Sequence, residues 1–230
     1  MTKVLFSFIL VSTLAFVGCN QQQKMIDHEW TVYNAVIANG DLTSAIICLN
    51  RIAAVDKYNA NALDTLAILY LNAGSFEAAH KIASRALNVR ESDELTKTIA
   101  RASKNLGKHE ESLEHFSKLL AKNPDNLEWL YEVAFANINL SKLNEAMPHI
   151  QKIIINPESG SAVMTEFIKG GSQLLPYKAV AFNMLGFIQS KVGQTEDAIL
   201  SYETALQIFP NYYLAKNNLA VSQETLAKSN

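Results

Sequence analysis

One recurrence constrains this chain more than any other property: a set of small and large apolar residues that returns about every 34 positions. Its cleanest copy is AVAFNMLGFIQSKVGQTEDAILSYETALQIFP, Ala179 to Pro210, where Phe182, Leu185, Gly186, Ala198, Tyr202, Ala205 and Pro210 stand at fixed intervals. Apolar positions three and four apart place one stripe on each of two helices separated by a turn. A single helix pair cannot bury such a stripe by itself, so the pattern demands stacked neighbours. Only 5 Pro and 9 Gly punctuate the 230 residues, and the long segments between them favour helices over many short strands.

Four earlier copies precede the clean one. The first spans about 26–59, with the turn Asn39-Gly40-Asp41 followed by Ala45, Leu49 and Ile52; Trp30 and Tyr33 fall one place out of register. The second, about 60–92, carries Leu63, Leu66, Ala67 and Tyr70, then Gly74, then Phe76, Ala79, Ala83 and Ala86. The third, about 93–126, keeps Ile99, Ala100, Gly107, Leu113, Phe116, Leu119 and Pro124, with Ser112 in place of Ala. The fourth, about 127–160, keeps Leu130, Val133, Ala134, Ala146, Ile150 and Ile153, but Ser141 replaces the turn glycine and Pro148 falls near the start of a helix beginning about Glu145. Residues 161–178 are then an insertion, punctuated by Gly170, Gly171 and Pro176, in which 162–169 reads as a short helix lengthening the fourth unit. The fifth copy is 179–212, and 213–227 reads as a capping helix with a polar outer face.

The aromatic, Leu-Gly, Ala, aromatic and Pro positions of 179–212, repeated in degenerate form back to residue 26, resemble the tetratricopeptide repeat family. The resemblance implies an all-α solenoid of about five helix-turn-helix units, right-handed, whose first helices line a concave groove. Carried onto this chain, the groove positions are Asn34, then Asp64 and Ile68, then Lys97, Arg101 and Lys104, then Tyr131, Phe135 and Ile138, and last Asn183 and Phe187. Family members that clamp a C-terminal carboxylate use a Lys and Asn pair on one helix. Here Trp30 and Asn34, then Asp64 and Ile68, occupy those places, so that mode of recognition is not implied.

The start of the chain follows a different logic. Lys3 precedes an apolar run from Val4 to Ala15, and Phe16-Val17-Gly18-Cys19 closes it. This is the layout of a secretory signal, too short to span a bilayer comfortably. Its closing residues resemble the lipobox of bacterial lipoproteins, which implies a signal peptide over 1–18, a lipid such as palmitate on Cys19 and a polar tether over 19–25. Asn20, where an Asp commonly signals retention in the inner membrane, implies the outer membrane, facing the periplasm. The alternative is an ordinary cleaved signal or an anchor helix with a chance cysteine. Cys48, the second of two cysteines, reads as a small buried hydrophobe.

Several functions are disfavoured by composition. Lys+Arg 20 against Asp+Glu 22 leaves a net charge of -2, with no basic field to collect nucleic acid. His109 and His115 are six apart, which on a helix turns their side chains about 120° from one another and rules out a metal pair of the usual spacing. Neither a glycine-rich phosphate loop nor a nucleophile elbow occurs. The reading is a non-enzymatic interaction scaffold or assembly factor, without metal or cofactor beyond the lipid at Cys19. It would be anchored to the bacterial envelope and hold an envelope protein or peptide in its groove. The alternative is a ligand-delivery lipoprotein that binds peptides or glycans for uptake.

Overall fold

The structure, a computed structural model, describes residues 2–168 and 171–229, with side chains from Asn20 to Lys228. The side chain of Cys19, the expected lipid carrier, therefore lies outside the described residues, as do Lys169 and Gly170 of the insertion. Among the described residues the fold is all-α apart from one hairpin, and it forms two compact units, Met1–Leu106 and Gly107–Asn230.

The first unit contains α1 (Thr2–Ala38), α2 (Leu42–Val55), α3 (Ala60–Asn72), α4 (Phe76–Leu87) and α5 (Asp93–Asn105). Successive helices pack on one another, α1 on α2 and α3 on α4. Helix α1 runs unbroken through 19–25, the stretch expected to be a tether, because Gln21, Gln22, Gln23, Lys24 and Met25 are all good helix formers. Among the described residues no helix is long and apolar enough to cross a membrane.

The turns within the pairs share one design. After α1 and α3, the chain enters the left-handed region at Gly40 and Gly74, with φ of 74° and 72°. The next amide then reaches back to the helix: Asp41 N–H to the Val36 carbonyl at 3.0 Å, Ser75 N–H to the Tyr70 carbonyl at 2.9 Å. These six-to-one bonds satisfy carbonyls that the helix end would otherwise leave unpaired. The following helices start on side-chain caps where the sequence supplies one: Asp41 accepts from Ser44 N–H, and Asn59 accepts from Ala62 N–H at the start of α3.

Two apolar clusters fill this unit. Ile26, Leu49, Ile52, Ala62 and Leu66 form one, against which Trp30 and Tyr33 pack edge to face with ring centroids 5.2 Å apart. The two aromatics that break register in the sequence are thus absorbed into the core. Ala53, Leu63, Ala67, Ala83, Ala86, Leu95 and Ile99 form the other, with the alanines letting helices approach closely. Cys48 is a buried free cysteine, as its apolar helix implies; burial, and then Glu29 beside it, push its thiol above the ordinary value.

The second unit contains α6 (His109–Lys122), α7 (Leu127–Asn139), α8 (Leu143–Ile155), a hairpin of β1 (Val163–Ile168) and β2 (Gly171–Pro176), then α9 (Tyr177–Lys191), α10 (Thr195–Ile208) and α11 (Tyr213–Ser229). Helix α8 begins at Leu143, so Pro148 sits in its second turn rather than its first. Ser141 takes the place of the turn glycine and adopts its conformation, φ 58°, with Lys142 N–H bonded to the Asn137 carbonyl at 2.9 Å.

The insertion corrects the sequence reading. Where a helix was expected over 162–169, Val163–Ile168 form an antiparallel strand, paired from Val163 with Pro176 to Ile168 with Gly171. The reason is period: Val163-Met164-Thr165-Glu166-Phe167-Ile168 alternates two faces, outward at Val163, Thr165 and Phe167, inward at Met164, Glu166 and Ile168. On β2, Leu175 is fully buried in the core that α7, α8, α9 and α10 also build. Gln173 ties the hairpin to the start of α11, donating to the Asn211 carbonyl at 2.7 Å and accepting from Tyr213 N–H at 3.2 Å. Helix α11 is the terminal helix expected after the fifth repeat; its Ala215 is buried, while its Val221 faces out.

Candidate functional site: a cleft carrying one carboxylate

The helical period brings two stripes of the second unit face to face. Tyr131, Phe135 and Ile138 follow one another along α7 at steps of four and three, and Val180, Asn183, Met184 and Phe187 do the same along α9. Between them lies a cleft of about 310 Å³, closed by Glu166 from β1 and by Tyr212, Leu214 and Asn218 at the start of α11. Tyr131 stacks on Phe135 with centroids 5.9 Å apart and meets Tyr177 edge-on at 6.4 Å.

A one-directional chain of hydrogen bonds joins four of the lining residues. Asn218 Nδ2 donates to Asn183 Oδ1 at 2.9 Å, Asn183 Nδ2 donates to the Tyr212 hydroxyl at 3.3 Å, and that hydroxyl donates to Glu166 Oε1 at 3.3 Å. Every donor points toward the carboxylate. The other carboxylate oxygen, Oε2, is sealed from solvent and has no hydrogen-bond partner among the described residues.

Burial sets the protonation of the cleft. It pushes the Tyr212 hydroxyl far above its usual range, with the Glu166 charge adding to the effect, so this group remains a donor. Tyr131 is raised for the same leading reason, with Glu132 and then Glu166 contributing. Burial also raises the Glu166 carboxyl, against the opposing pull of the Tyr212 hydrogen bond. Among the described residues the lining contains one carboxylate and no Lys, Arg, His or Cys. Such a site is equipped to bind a group that is apolar along its length and cationic at one point; it has no nucleophile paired with a base. Among the described residues no group of three or more His, Cys, Asp or Glu is placed to hold a metal ion.

The residues expected to line a groove divide between the two units. Tyr131, Phe135, Ile138, Asn183 and Phe187 converge on this cleft. The other six lie in residues 1–106. Asn34 is exposed on α1; Asp64 on α3 is paired with Arg90, with Ile68 half-buried one turn on; Lys97 on α5 is bonded to Glu94 at 2.7 Å, with Arg101 and Lys104 half-buried on the same helix. Glu166, Tyr212 and Asn218 were not among the expected residues. Alternation in the 163–168 stretch was the available signal for Glu166, since a strand there puts it on the same face as Met164 and Ile168.

A protein built from consecutive packed helix pairs, with a cleft lined by the first helices of two of them, is a helical-repeat protein of the tetratricopeptide type in its fold. Residues 179–212, which cover α9 and α10, match the Tetratricopeptide repeat family. Among solved structures the chain is similar to YrrB, described as a TPR protein with an unusual peptide-binding site, at 17% identity over 80% of this chain and 87% of that one, TM-score 0.66. It is similar also to MamA from Desulfovibrio magneticus RS-1, at 14% identity over 82% of this chain and 97% of that one, TM-score 0.65. At these identities the likeness is one of fold. A curated relative, the uncharacterized protein ycf37 of Pyropia yezoensis, is 62% identical over 39 residues; the match spans 17% of this chain and 22% of that protein.

Proposed function

We propose that this protein is a non-enzymatic interaction scaffold whose second unit holds an extended segment of a partner protein in the cleft between α7 and α9. The observation that carries the reading is the convergence of Tyr131, Phe135 and Phe187 on one cleft that a chain of polar groups also lines. Aromatic walls with a few placed polar groups are the make-up of peptide-binding surfaces. That YrrB, which shares the fold, is described as having a peptide-binding site supports the same use of this fold here.

The partner is an envelope protein, and the scaffold is held at the bacterial outer membrane by lipid on Cys19. The support is the sequence Phe16-Val17-Gly18-Cys19 behind a basic and apolar leader. A photo-crosslinking side chain in place of Asn139, exposed at the cleft edge, tests the first part. A discrete crosslinked species that Phe187→Ala abolishes is expected; an identical pattern with and without Phe187 overturns the cleft. Cys19→Ser is expected to end palmitate labelling and release the protein from membranes.

A further inference from the structure

We propose that the cleft selects a basic side chain, a lysine or arginine of the bound segment, by placing its charge on Glu166 and its stem along Tyr131, Phe135 and Phe187. This rests on the reading of the cleft as a peptide site and names what that site recognises.

Three observations carry it. Among the described residues of the lining Glu166 supplies the only full charge, the others being apolar, phenolic or amide-bearing. Its Oε1 is already satisfied by Tyr212, whereas Oε2 is sealed from water with no partner among the described residues. A buried carboxylate oxygen without a donor is a cost to the fold, and a cationic N–H donor is the complement that removes it. The direction of the chain from Asn218 through Asn183 to Tyr212 delivers donors to Glu166 and works against the burial that raises its carboxyl.

The walls fit the same occupant. Lysine and arginine carry long apolar stems behind the charge, and aromatic faces attract the cation as well as the stem. The Phe187 ring already attracts one cation of its own chain: Lys191 Nζ lies 5.3 Å from its centroid, one turn along α9. A volume of about 310 Å³ is at the low end for small-molecule sites, which run from about 300 to 1,000 Å³, and suits one inserted side chain better than a larger ligand. An acidic side chain would meet the Glu166 charge head-on.

Selection from a random octapeptide display library on the full chain tests this. Lysine or arginine is expected to be enriched about tenfold at one fixed position, the worth of one hydrogen bond to a charged group. Glu166→Gln is expected to erase that column while the apolar preferences beside it remain, which also shows that the variant is folded. Apolar enrichment without a basic column in the native chain overturns the inference and leaves the peptide site standing. A basic column that survives Glu166→Gln overturns it too. No enrichment of any kind overturns both.

Discussion

Gly186 on α9 and the ring of Tyr202 on α10 compete for the same space: a Cβ built on Gly186 would lie 2.7 Å from Tyr202 Cε1 and 2.9 Å from Cδ1. The ring belongs to the rigid interior, since Tyr202 is 2% exposed and burial pushes its hydroxyl up to about 12. Gly186→Ala is therefore expected to destabilise the second unit by about 1–3 kcal/mol, the cost of forcing a packed core apart. Urea unfolding read by circular dichroism measures it, and combining the change with Tyr202→Leu, which frees the space, is expected to cost less than the two single changes together.

Ser141 is held at φ 58° where the turns at Gly40, Gly74, Gly107 and Gly193 use glycine. An L-residue in the left-handed region is strained by roughly 1–2 kcal/mol, and glycine gives back part of that gain in chain entropy. Ser141→Gly is expected to raise stability by about 0.5–1 kcal/mol without altering the cleft. A loss of stability would mean that Ser141 makes a contact worth more than its strain.

The hairpin has two faces of opposite value. Phe167 is 85% exposed and Leu174 62%, whereas Leu175, one residue along the same strand, is fully buried. Phe167→Ser is expected to leave the thermal midpoint unchanged, and Leu175→Ala to cost about 2–5 kcal/mol. Equal effects would refute the register of β1 against β2.

Glu166 couples stability to pH in a definite direction. Burial raises its carboxyl in the fold, so the folded chain holds this proton more tightly than the unfolded chain. Stability is then lost as pH rises from the ordinary carboxylate range through the raised value, and the deficit is complete above it. Glu166→Gln keeps the acceptor for Tyr212 and removes the charge. It is expected to be more stable than the native chain at neutral pH, with the difference disappearing in acid, as followed by unfolding curves across pH.

Cys48 is 3% exposed, with its thiol raised by burial and by Glu29. In a Cys19→Ser background, Cys48 is expected to resist iodoacetamide in the folded protein and to react once urea unfolds the first unit. Prompt labelling under native conditions would contradict the packing of α2.

Much of this protein is legible in its residues alone. Periods of three and four, glycine at the turns and small residues at the crossings define helices that must stack, because each stripe is too apolar to face water and too narrow to close on itself. The α7 and α9 stripes, and hence Tyr131, Phe135, Ile138, Asn183 and Phe187, follow from that register. What the register does not contain is the insertion, where no repeat dictates the partner. There the alternation of 163–168 competes with a helical reading, and pairing with 171–176 decides between them.

That pairing also makes the site. Glu166 is 46 positions from Tyr212, its hydrogen-bond partner in the cleft, and nothing local relates them. Folding the hairpin back onto the unit turns alternate residues inward, anchors Gln173 to α11, and leaves a single carboxylate against Tyr212 with one oxygen unanswered. The repeat determined the walls; only the tertiary structure brought the charge between them, because strand alternation and a contact between residues 166 and 212 are properties of the folded chain.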